Sequence, residues 1–419
     1  MKVLVVGSGG RCHAIIHALS KSAQVDKIYA APGNDGMRDL ASLVAIKETD
    51  VDSLLSFAKE NRIDLTVVGP EIALEAGIVN SFQAHGLNIF GPSREAAQIE
   101  SSKSFAKNLM QKYNIPTGAY KVFTDYKEAM DYVSQYSKTA SFPLVIKYDG
   151  LAAGKGVVIA KDLSMAEKAL YDMLVKDIYG DSSVIIEEYL EGPEFTFMCF
   201  VDRENVYPML VSQDHKRAYD GDLGPNTGGM GAYCEVPIIS AEDQKEALEK
   251  IMKPVAKAMV LEDIPYKGVL YGGLIKTKEG IKVIEFNARF GDPEAEVVLP
   301  RLESDIFDVF MSIIEGKDLE LKWDKCYTIG VVLASKGYPG SYEKGYKIRG
   351  LENVKGHIYH MGTKFDGKDY ITNSGRVLIL VQQGASLEEA REKAMEDIKN
   401  IKCDKLFYRT DIGSKSLNA

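Results

Sequence analysis

Val145-Ile-Lys-Tyr-Asp-Gly-Leu-Ala-Ala-Gly-Lys-Gly-Val-Val-Ile159 decides the architecture of this chain. An apolar strand enters a loop with glycine at 150, 154 and 156 and returns as a second apolar strand. A P-loop needs four residues between its first glycine and Gly-Lys, then Ser or Thr opening a helix. Here three residues separate Gly150 from Gly154, Gly156 stands where the hydroxyl belongs, and Val157–Ile159 reads as strand. A strand–loop–strand of this kind is a flap whose backbone N–H groups can close over a triphosphate. Lys147 lies in an otherwise apolar strand, where an ammonium without an anion is costly. Lys155 lies at the loop tip.

Downstream, Lys282-Val-Ile-Glu-Phe-Asn-Ala-Arg-Phe290 reads as a strand. A period of two places Glu285, Asn287 and Arg289 on one face and Ile284, Phe286 and Ala288 on the other. Glu285 and Asn287 offer the hard oxygens that magnesium takes. Arg289 can clamp a carboxylate or phosphate, and the loop Gly291-Asp-Pro-Glu294 follows at once. Between flap and metal strand, Ile186-Glu-Glu-Tyr-Leu-Glu-Gly-Pro-Glu194 runs from an apolar strand through a short turn into another. Backbone groups at Glu188, Tyr189 and Leu190 suit an adenine edge, and Glu194 suits the ribose hydroxyls.

The first hundred residues alternate short apolar runs with helical patterns. Val3–Val6, Lys27–Ala30, Leu65–Val68 and Asn88–Phe90 read as parallel strands of a doubly wound α/β unit. Their C-terminal loops are GSGGR, APGN, GPE and GPS, on the side where such sheets bind ligands. The turn Gly7-Ser-Gly-Gly-Arg-Cys12 is not a dinucleotide fingerprint. Its third glycine would fall on Cys12, and Ala31-Pro-Gly-Asn34 stands where a ribose-binding acid belongs. A single phosphate or a purely structural tight turn suits it better, and the neighbouring Pro32–Asn34 and Gly69-Pro-Glu71 tips favour a phosphorylated sugar in this crevice.

A helix is expected over Ser101–Tyr113 and another near Met165–Leu174, with Ser183–Tyr189 and Glu194–Val201 as paired strands. Gln213–Tyr233 shows no apolar period and reads as a long functional loop. A helix over Ala241–Leu261 leads to strands Tyr266–Thr277 and Ile281–Phe286. From residue 325 a smaller α+β unit has strands near Tyr327–Ala334, Gly356–His360 and Arg376–Gln382, then a helix and FYRTDIG. The expected division is an α/β and α+β multidomain chain: residues 1–102, 103–324 with a lid at about 120–190, and 325–419.

The 419 residues carry a formal charge of −9 and no basic arm, which argues against nucleic acid as a partner. Five cysteines without a CxxC pair fit a reducing compartment. The pairs His13/His17 and His357/His360 lack the glutamate of HExxH and any cysteine partner. No apolar run approaches the ~20 residues of a membrane span, and the N-terminus is a strand and glycine turn rather than a signal peptide. A cytoplasmic enzyme is expected.

Two lysines, a glycine flap, an acidic hinge and a metal strand, in that order, resemble the ATP-grasp enzymes. GSGGR, APGN, GPE, NIPTGAY, DGLAAGKGV, DHKRAYDGDLGPNTGGMGAY, IEFNARFGDPE, VVLPRLESD, ASKGYPG, TNSGRVL and FYRTDIG follow one another along the whole chain. This series resembles the glycinamide ribonucleotide synthetases (phosphoribosylamine–glycine ligases) of purine biosynthesis. The resemblance implies the substrates ATP, glycine and 5-phosphoribosylamine, the metal Mg2+ (or Mn2+), and a monomer or weak homodimer. It implies ATP contacts at Lys103, Lys147, Gly154, Gly156, Glu187, Glu188, Tyr189, Leu190 and Glu194, with metal at Glu285 and Asn287. Lys155, Asp214 and Arg289 would serve the chemistry. Asp214, Lys216, Asn226, Thr227, Gly228 and Arg289 would line the glycine and sugar-phosphate sites, with Gly9, Gly10, Asn34 and Glu71 on the ribosylamine side. Three departures stand out: Cys12 where the family has Glu, Ile72-Ala-Leu74 where it has a proline-leucine pair, and Glu294-Ala-Glu296 where it has Glu-Thr-Gln. Cys12 removes a carboxylate beside the expected ribosylamine pocket. A biotin-carboxylase or carboxyaminoimidazole type of ATP-grasp enzyme should lack the GPNTGGMGAY loop. A non-catalytic nucleotide-binding regulator could dispense with Glu285 and Asn287.

Overall fold

The computed structural model describes residues 1–139, 142–150, 156–180 and 183–417. The flap residues Gly154 and Lys155 lie outside them. Strands β1 (Lys2–Gly7), β2 (Lys27–Pro32), β3 (Ser42–Leu43), β4 (Leu65–Val68) and β5 (Ile89–Phe90) form a parallel sheet in the order β3-β2-β1-β4-β5. The order reverses beside β1, where a parallel sheet opens its ligand crevice. The turn before helix α1 (Gly10–Leu19) and the turn Gly69–Glu71 flank that point.

Strands β6 (Tyr120–Phe123), β7 (Leu144–Tyr148), β8 (Val157–Ala160) and β9 (Val184–Glu188) form an antiparallel sheet in the order β6-β9-β7-β8. With helices Tyr126–Thr139 and Leu163–Leu174 it closes a hydrophobic core of its own, built on Leu144, Ile146, Leu170 and Ile186. Strand β10 (Glu194–Asp202) belongs to a different sheet. The expected pairing of Ser183–Tyr189 with Glu194–Val201 is therefore wrong: β9 pairs with β6 and β7, while β10 pairs with β11 (Asn205–Pro208). The turn at Gly192 separates them. With φ at +148°, a side chain there would meet the Lys276 carbonyl oxygen at 2.0 Å, so the chain leaves one sheet for the other on a residue that must be glycine.

Gln213–Tyr233 is not structureless. It holds β12 (Gln213–Asp214), β13 (Arg217–Tyr219), β14 (Leu223–Asn226) and most of β15 (Gly231–Cys234). Sequence period fails here because the strands are short and their partners distant. The FYRTDIG segment clamps them: Arg409, 1% exposed, pairs with Asp222 (3.0 Å) and donates to the Arg217 carbonyl (3.0 Å). Asp411 accepts from the Gly221 N–H (2.8 Å), and Gly413 N–H donates to His215 (3.1 Å). The single helix expected over Ala241–Leu261 is broken by a π turn at Leu248–Met252. It lies just ahead of Pro254, which lacks an N–H and crowds the carbonyl one turn back.

Strands β16 (Lys267–Thr277) and β17 (Gly280–Asn287) complete the sheet β11-β10-β16-β17. The C-terminal region supplies β18 (Tyr327–Ser335), β19 (Lys347–Ile348), β20 (His357–His360), β21 (Thr363–Phe365), β22 (Tyr370–Thr372), β23 (Arg376–Gly384) and β24 (Leu406–Phe407). Its main sheet runs β12-β15-β18-β23-β20, so strands from either side of the expected boundary at 325 share one sheet. Among the described residues no helix is long and apolar enough to cross a membrane.

The two histidine pairs form one ladder between α1 and β20. His17 lies 4.8 Å from His357 and His13 lies 5.7 Å from His360, centroid to centroid. His13 is buried and its Nδ1 accepts from the His360 N–H (2.9 Å), which requires an uncharged ring. Burial, with His360 and His17 nearby, lowers its pKa to about 3. The unfolded chain, at ~6.5, takes the proton first, so this stability is complete above about pH 6.5 and is lost as pH falls. Between pH 6.5 and 5 the loss is on the order of 2 kcal/mol for this ring. The urea midpoint should therefore drop from pH 7 to pH 5. His13→Gln, which keeps an acceptor that does not titrate, should remove part of that drop. A midpoint independent of pH would contradict this reading.

Candidate active site

The helix Lys103–Lys112 is capped by the Ser102 hydroxyl, which accepts from the Phe105 N–H, and presents Lys103 and Lys107 one turn apart. Lys103 Nζ donates to the Gly150 carbonyl (2.8 Å) at the mouth of the flap. Asp149 fastens the flap's base, accepting from the Ser104 N–H (3.1 Å) and the Ser183 hydroxyl (2.9 Å). Lys107 is buried, donates to the Thr117 hydroxyl (2.8 Å) and pairs with Glu187 at 3.0 Å. Glu187 also pairs with Lys147 at 3.0 Å. Glu187 is thus a buried anion between two buried ammonium groups, and it sets where Lys147 stands. Lys107 was not singled out from sequence, although its spacing from Lys103 on one helix face was the available signal. Burial lowers the Lys107 pKa to about 8 although Glu187 opposes the shift.

Lys147 reaches across to β17, where its Nζ donates to the Ile284 carbonyl (3.1 Å). That carbonyl is available because Ile284 is the extra residue of a β-bulge: Val283 faces Leu274 and Glu285 faces Gly273. The expectation that Ile284 shares the apolar face with Phe286 and Ala288 fails for this reason. The buried face runs Ile281, Val283, Phe286 and Ala288, and the bulge re-aims the strand at the site. Downstream of it, the shared face of Glu285, Asn287 and Arg289 is as expected.

Glu285 is half-buried among cations. Burial alone would raise its pKa, but Lys216, Lys147, Lys103 and Arg289 outweigh it and keep the carboxylate ionised. Asn287 Oδ1 accepts from Arg289 (3.2 Å). Arg289 also pairs with Glu100 (2.9 Å) and Glu71 (3.3 Å), so much of its guanidinium holds the floor of the site together. Glu100, buried and accepting the Ala288 N–H (2.7 Å), was missed by sequence reasoning because nothing local marks it. Burial would raise the Glu71 pKa, yet Arg289 and Arg11 hold it at about 2.

On the other wall stand Asp214 on β12, Lys216, Glu194 and the buried Glu294. Lys216 Nζ lies 3.5 Å from Glu194. Burial opposes its charge, but Asp214, Glu194 and Glu285 raise its pKa well above the ordinary lysine value. Burial drives Asp214 up to about 7 against the pull of Lys216, with Glu294 adding to the rise. Glu294 accepts from Tyr271 (2.7 Å) and Thr196 (3.0 Å), and Gly291 has no room for a side chain because Glu294 Oε2 would lie 2.5 Å away.

At the end of β9, Glu188 and Tyr189 are exposed and Leu190 is half-buried. The Glu188 side chain accepts from the Ala119 N–H (3.1 Å). Gly156, just before β8, is buried. Asn226 is exposed on β14, and Thr227 is engaged by the Lys216 carbonyl (2.9 Å) and the Gly229 N–H (3.0 Å). Gly228 is held by Tyr338 (3.0 Å) and Arg376 (2.8 Å).

At the N-terminal crevice, Gly9 and Gly10 open α1. The side chain of Asn34, a residue expected on the ribosylamine side, is engaged within the protein: its amide donates to the Ser8 (2.6 Å) and His360 (2.9 Å) carbonyls, and its carbonyl accepts the Gly36 N–H (2.9 Å). It braces the turn. Cys12 does not face the pocket either. It is buried, with Sγ against the Val6 carbonyl (3.7 Å) and beneath Gly7 and Gly69. Burial pushes its thiol up to about 12, so it is an inert packing group.

For a metal, the donors are one ionised carboxylate and one amide oxygen. Magnesium commonly takes one or two protein oxygens and fills its shell with water and phosphate oxygens. Glu285 and Asn287 fit that demand, and among the described residues no cluster offers a closed protein cage.

Family profiles for phosphoribosylglycinamide synthetase match the chain in three consecutive parts: the N domain over residues 1–100, the ATP-grasp (A) domain over 101–295 and the C domain over 328–415. The chain is 54% identical to the phosphoribosylamine–glycine ligase of Halalkalibacterium halodurans, covering 100% of this chain and 97% of that one. It is 51% identical to that of Listeria innocua, covering 99% and 100%. The crystal structure of the Thermotoga maritima phosphoribosylamine–glycine ligase superposes with a TM-score of 0.84 at 31% identity, over 99% of this chain and 100% of that one. A biotin carboxylase from Campylobacter jejuni shares the fold alone, with a TM-score of 0.74 at 16% identity over 97% of this chain and 92% of that one. The cation-ringed Glu285, Lys147 of β7 anchored on Glu187 and these end-to-end matches agree: the chain belongs to the phosphoribosylglycinamide synthetase family.

Proposed function

We propose that this chain joins glycine to 5-phosphoribosylamine at the expense of ATP, forming glycinamide ribonucleotide, ADP and phosphate. The carrying observation is the ring of Lys103, Lys147, Lys216 and Arg289 around the ionised Glu285. A site that concentrates positive charge about one carboxylate is built for a polyphosphate with a divalent cation.

Lys103 and Lys147 hold the triphosphate, and Gly154, Lys155 and Gly156 serve the same nucleotide. Glu188, Tyr189 and Leu190 present backbone to the adenine, Glu194 takes the ribose hydroxyls, and Glu187 acts through Lys147. Glu285 and Asn287 would hold Mg2+ or Mn2+, which neutralises charge on the phosphoryl group when bound. Lys216 and Arg289 orient the glycine carboxylate, and Asp214 takes its amino group. Asn226, Thr227 and Gly228 shape that wall, while Gly9, Gly10 and Glu71 border the ribosylamine.

A carboxylate is inert to amines because oxide is a poor leaving group. A glycine carboxylate oxygen attacks the γ-phosphorus, the β–γ bridging bond breaks, and ADP departs. The product is glycyl phosphate. The ribosylamine nitrogen then attacks its carbonyl carbon, phosphate leaves with the bonding pair, and the nitrogen loses a proton to give the amide. Lysines fixed before reaction need no reorganisation as charge moves. Closure of the flap keeps water from the acyl phosphate. Aligning the reactants supplies roughly 7–11 kcal/mol.

Steady ADP release should require glycine and phosphoribosylamine together, with the amine generated in the assay from ribose 5-phosphate and ammonia. Turnover that ignores the amine would refute the ligase reading.

A further inference from the structure

The strand that carries Asp214 and Lys216 to the site has a second face, and the last residues of the chain are fastened to it. Side chains alternate along residues 213–217. Asp214 and Lys216 turn to the wall that holds Glu194, whereas His215 turns the other way. His215 is fully buried, and its Nε2 accepts the Gly413 N–H (3.1 Å). On either side the same segment takes hold again. The Arg409 guanidinium donates to the Arg217 carbonyl (3.0 Å), and the Ser416 hydroxyl meets the Tyr233 hydroxyl (2.9 Å). Tyr233 lies opposite Gln213 in the pairing of β12 with β15. Residues 409–416 thus grip the back of the strand at three points, each beside Asp214 or Lys216.

The chain beyond Lys216 depends on that grip. Strands β13 and β14 form a two-stranded sheet, and a lone hairpin is at best marginally stable in water. Its apolar side chains contribute little, since Tyr219 is 49% exposed and Leu223 65%. Polar contacts fix it instead. Asp220 accepts from both the N–H (2.9 Å) and the hydroxyl (2.6 Å) of Thr410. Asp411 accepts the Gly221 N–H (2.8 Å), and Asp222 pairs with Arg409 (3.0 Å) and Lys415 (2.9 Å). Arg409 is held in turn by both oxygens of Asp411 (2.7 Å each), which makes it a rigid fork. The hairpin closes back on the site where the Thr227 N–H (2.7 Å) and hydroxyl (2.9 Å) both donate to the Lys216 carbonyl. A shift of the hairpin therefore moves the backbone of Lys216.

We propose that the strap formed by residues 409–416 sets the affinity for the amino-acid substrate. Arg409 and Asp220 are positioning residues: they act through the backbone on Lys216 and Asp214. This rests on the ligase reading for assigning that wall to glycine. The nucleotide lysines are held elsewhere, Lys103 by the Gly150 carbonyl and Lys147 by Glu187 and the Ile284 carbonyl. Loosening the strap should therefore separate glycine binding from nucleotide binding.

Glycine is titrated calorimetrically, with ADP and Mg2+ present, into the intact chain and into Arg409→Met, Asp220→Ala and Asp220→Asn. Displacing a binding group by about 1 Å can cost about 10²-fold, so Arg409→Met should bind glycine at least about tenfold more weakly. Asp220→Ala, at an exposed position, loses two hydrogen bonds and should weaken glycine about fivefold. Asp220→Asn keeps an acceptor for Thr410 and should recover most of that loss. ADP affinity should stay within about twofold throughout, because distant sites without shared partners act independently. Deuterium uptake over residues 217–226 should rise in Arg409→Met and Asp220→Ala. Unchanged glycine affinity in these two variants would overturn the proposal. An equal loss of ADP and glycine, the mark of general loosening, would overturn it as well. Should Arg409→Met fail to fold, the Asp220 pair decides alone. If glycine binds in this strap-dependent way yet phosphoribosylamine releases no ADP, the ligase reading falls and the positioning strap stands.

Discussion

Glu285→Ala should lower turnover by at least about 10³-fold while leaving the fold intact. The size follows from what Glu285 does: it is the one ionised carboxylate at the centre of four cations and the stronger of two metal donors. Removing a single preorganised donor from a charged transition state costs roughly 10²–10³ in rate, and here the metal is lost as well. The fold survives because each cation has a second partner. Lys147 keeps Glu187 and the Ile284 carbonyl, Lys103 keeps the Gly150 carbonyl, Lys216 keeps Glu194, and Arg289 keeps Glu71 and Glu100. The check has two arms, steady-state ADP release and thermal unfolding without ligand. A variant retaining more than a tenth of native turnover would refute the metal role. A melting point lowered by many degrees would instead show Glu285 to be structural.

What could be read before the structure was what local chemistry writes into the chain. Lys147 stood out because an ammonium interrupts an apolar strand, and Glu285 because alternation sets it with Asn287 and Arg289. The parallel sheet of the first hundred residues was legible for the same reason, since each strand is a short apolar run followed by a glycine turn. Features that depend on a distant partner were not. The bulge at Ile284 exists only in the pairing with Gly273 and Leu274. The order within Gln213–Tyr233 comes from Arg409 and Asp411, nearly two hundred residues away and outside any window of local periodicity. Cys12 misled because its neighbours in sequence line the crevice while its own side chain turns under Gly7 and Gly69. The family resemblance sets Glu187 among the ATP contacts, beside Glu188 and Tyr189. Strand alternation turns it inward to two lysines instead.

That inward turn gives the second large effect. Glu187→Ala should destabilise the chain by about 3–5 kcal/mol, the range for breaking a buried pair from one side. Lys107 and Lys147 are 3% and 4% exposed, and both would lose their carboxylate at once. Lys107 would retain the Thr117 hydroxyl and Lys147 the Ile284 carbonyl, neutral acceptors that do not offset two buried charges. Two further outcomes separate this from a simple cavity. Glu187→Ala with Lys107→Met should recover part of the stability, because one of the two unpaired buried charges is gone while the space left by Glu187 is unchanged. ATP with magnesium should stabilise Glu187→Ala more than it stabilises the native chain, since a triphosphate brings anions to Lys147 that only the folded state can use. Urea unfolding of the three forms, with and without nucleotide, measures all of this. A Glu187→Ala variant within about 1 kcal/mol of native would mean that water reaches the lysines and screens them. A double variant no better than Glu187→Ala alone would mean that the loss is one of volume rather than of unpaired charge, and the anchoring of Lys147 by Glu187 would have to be abandoned.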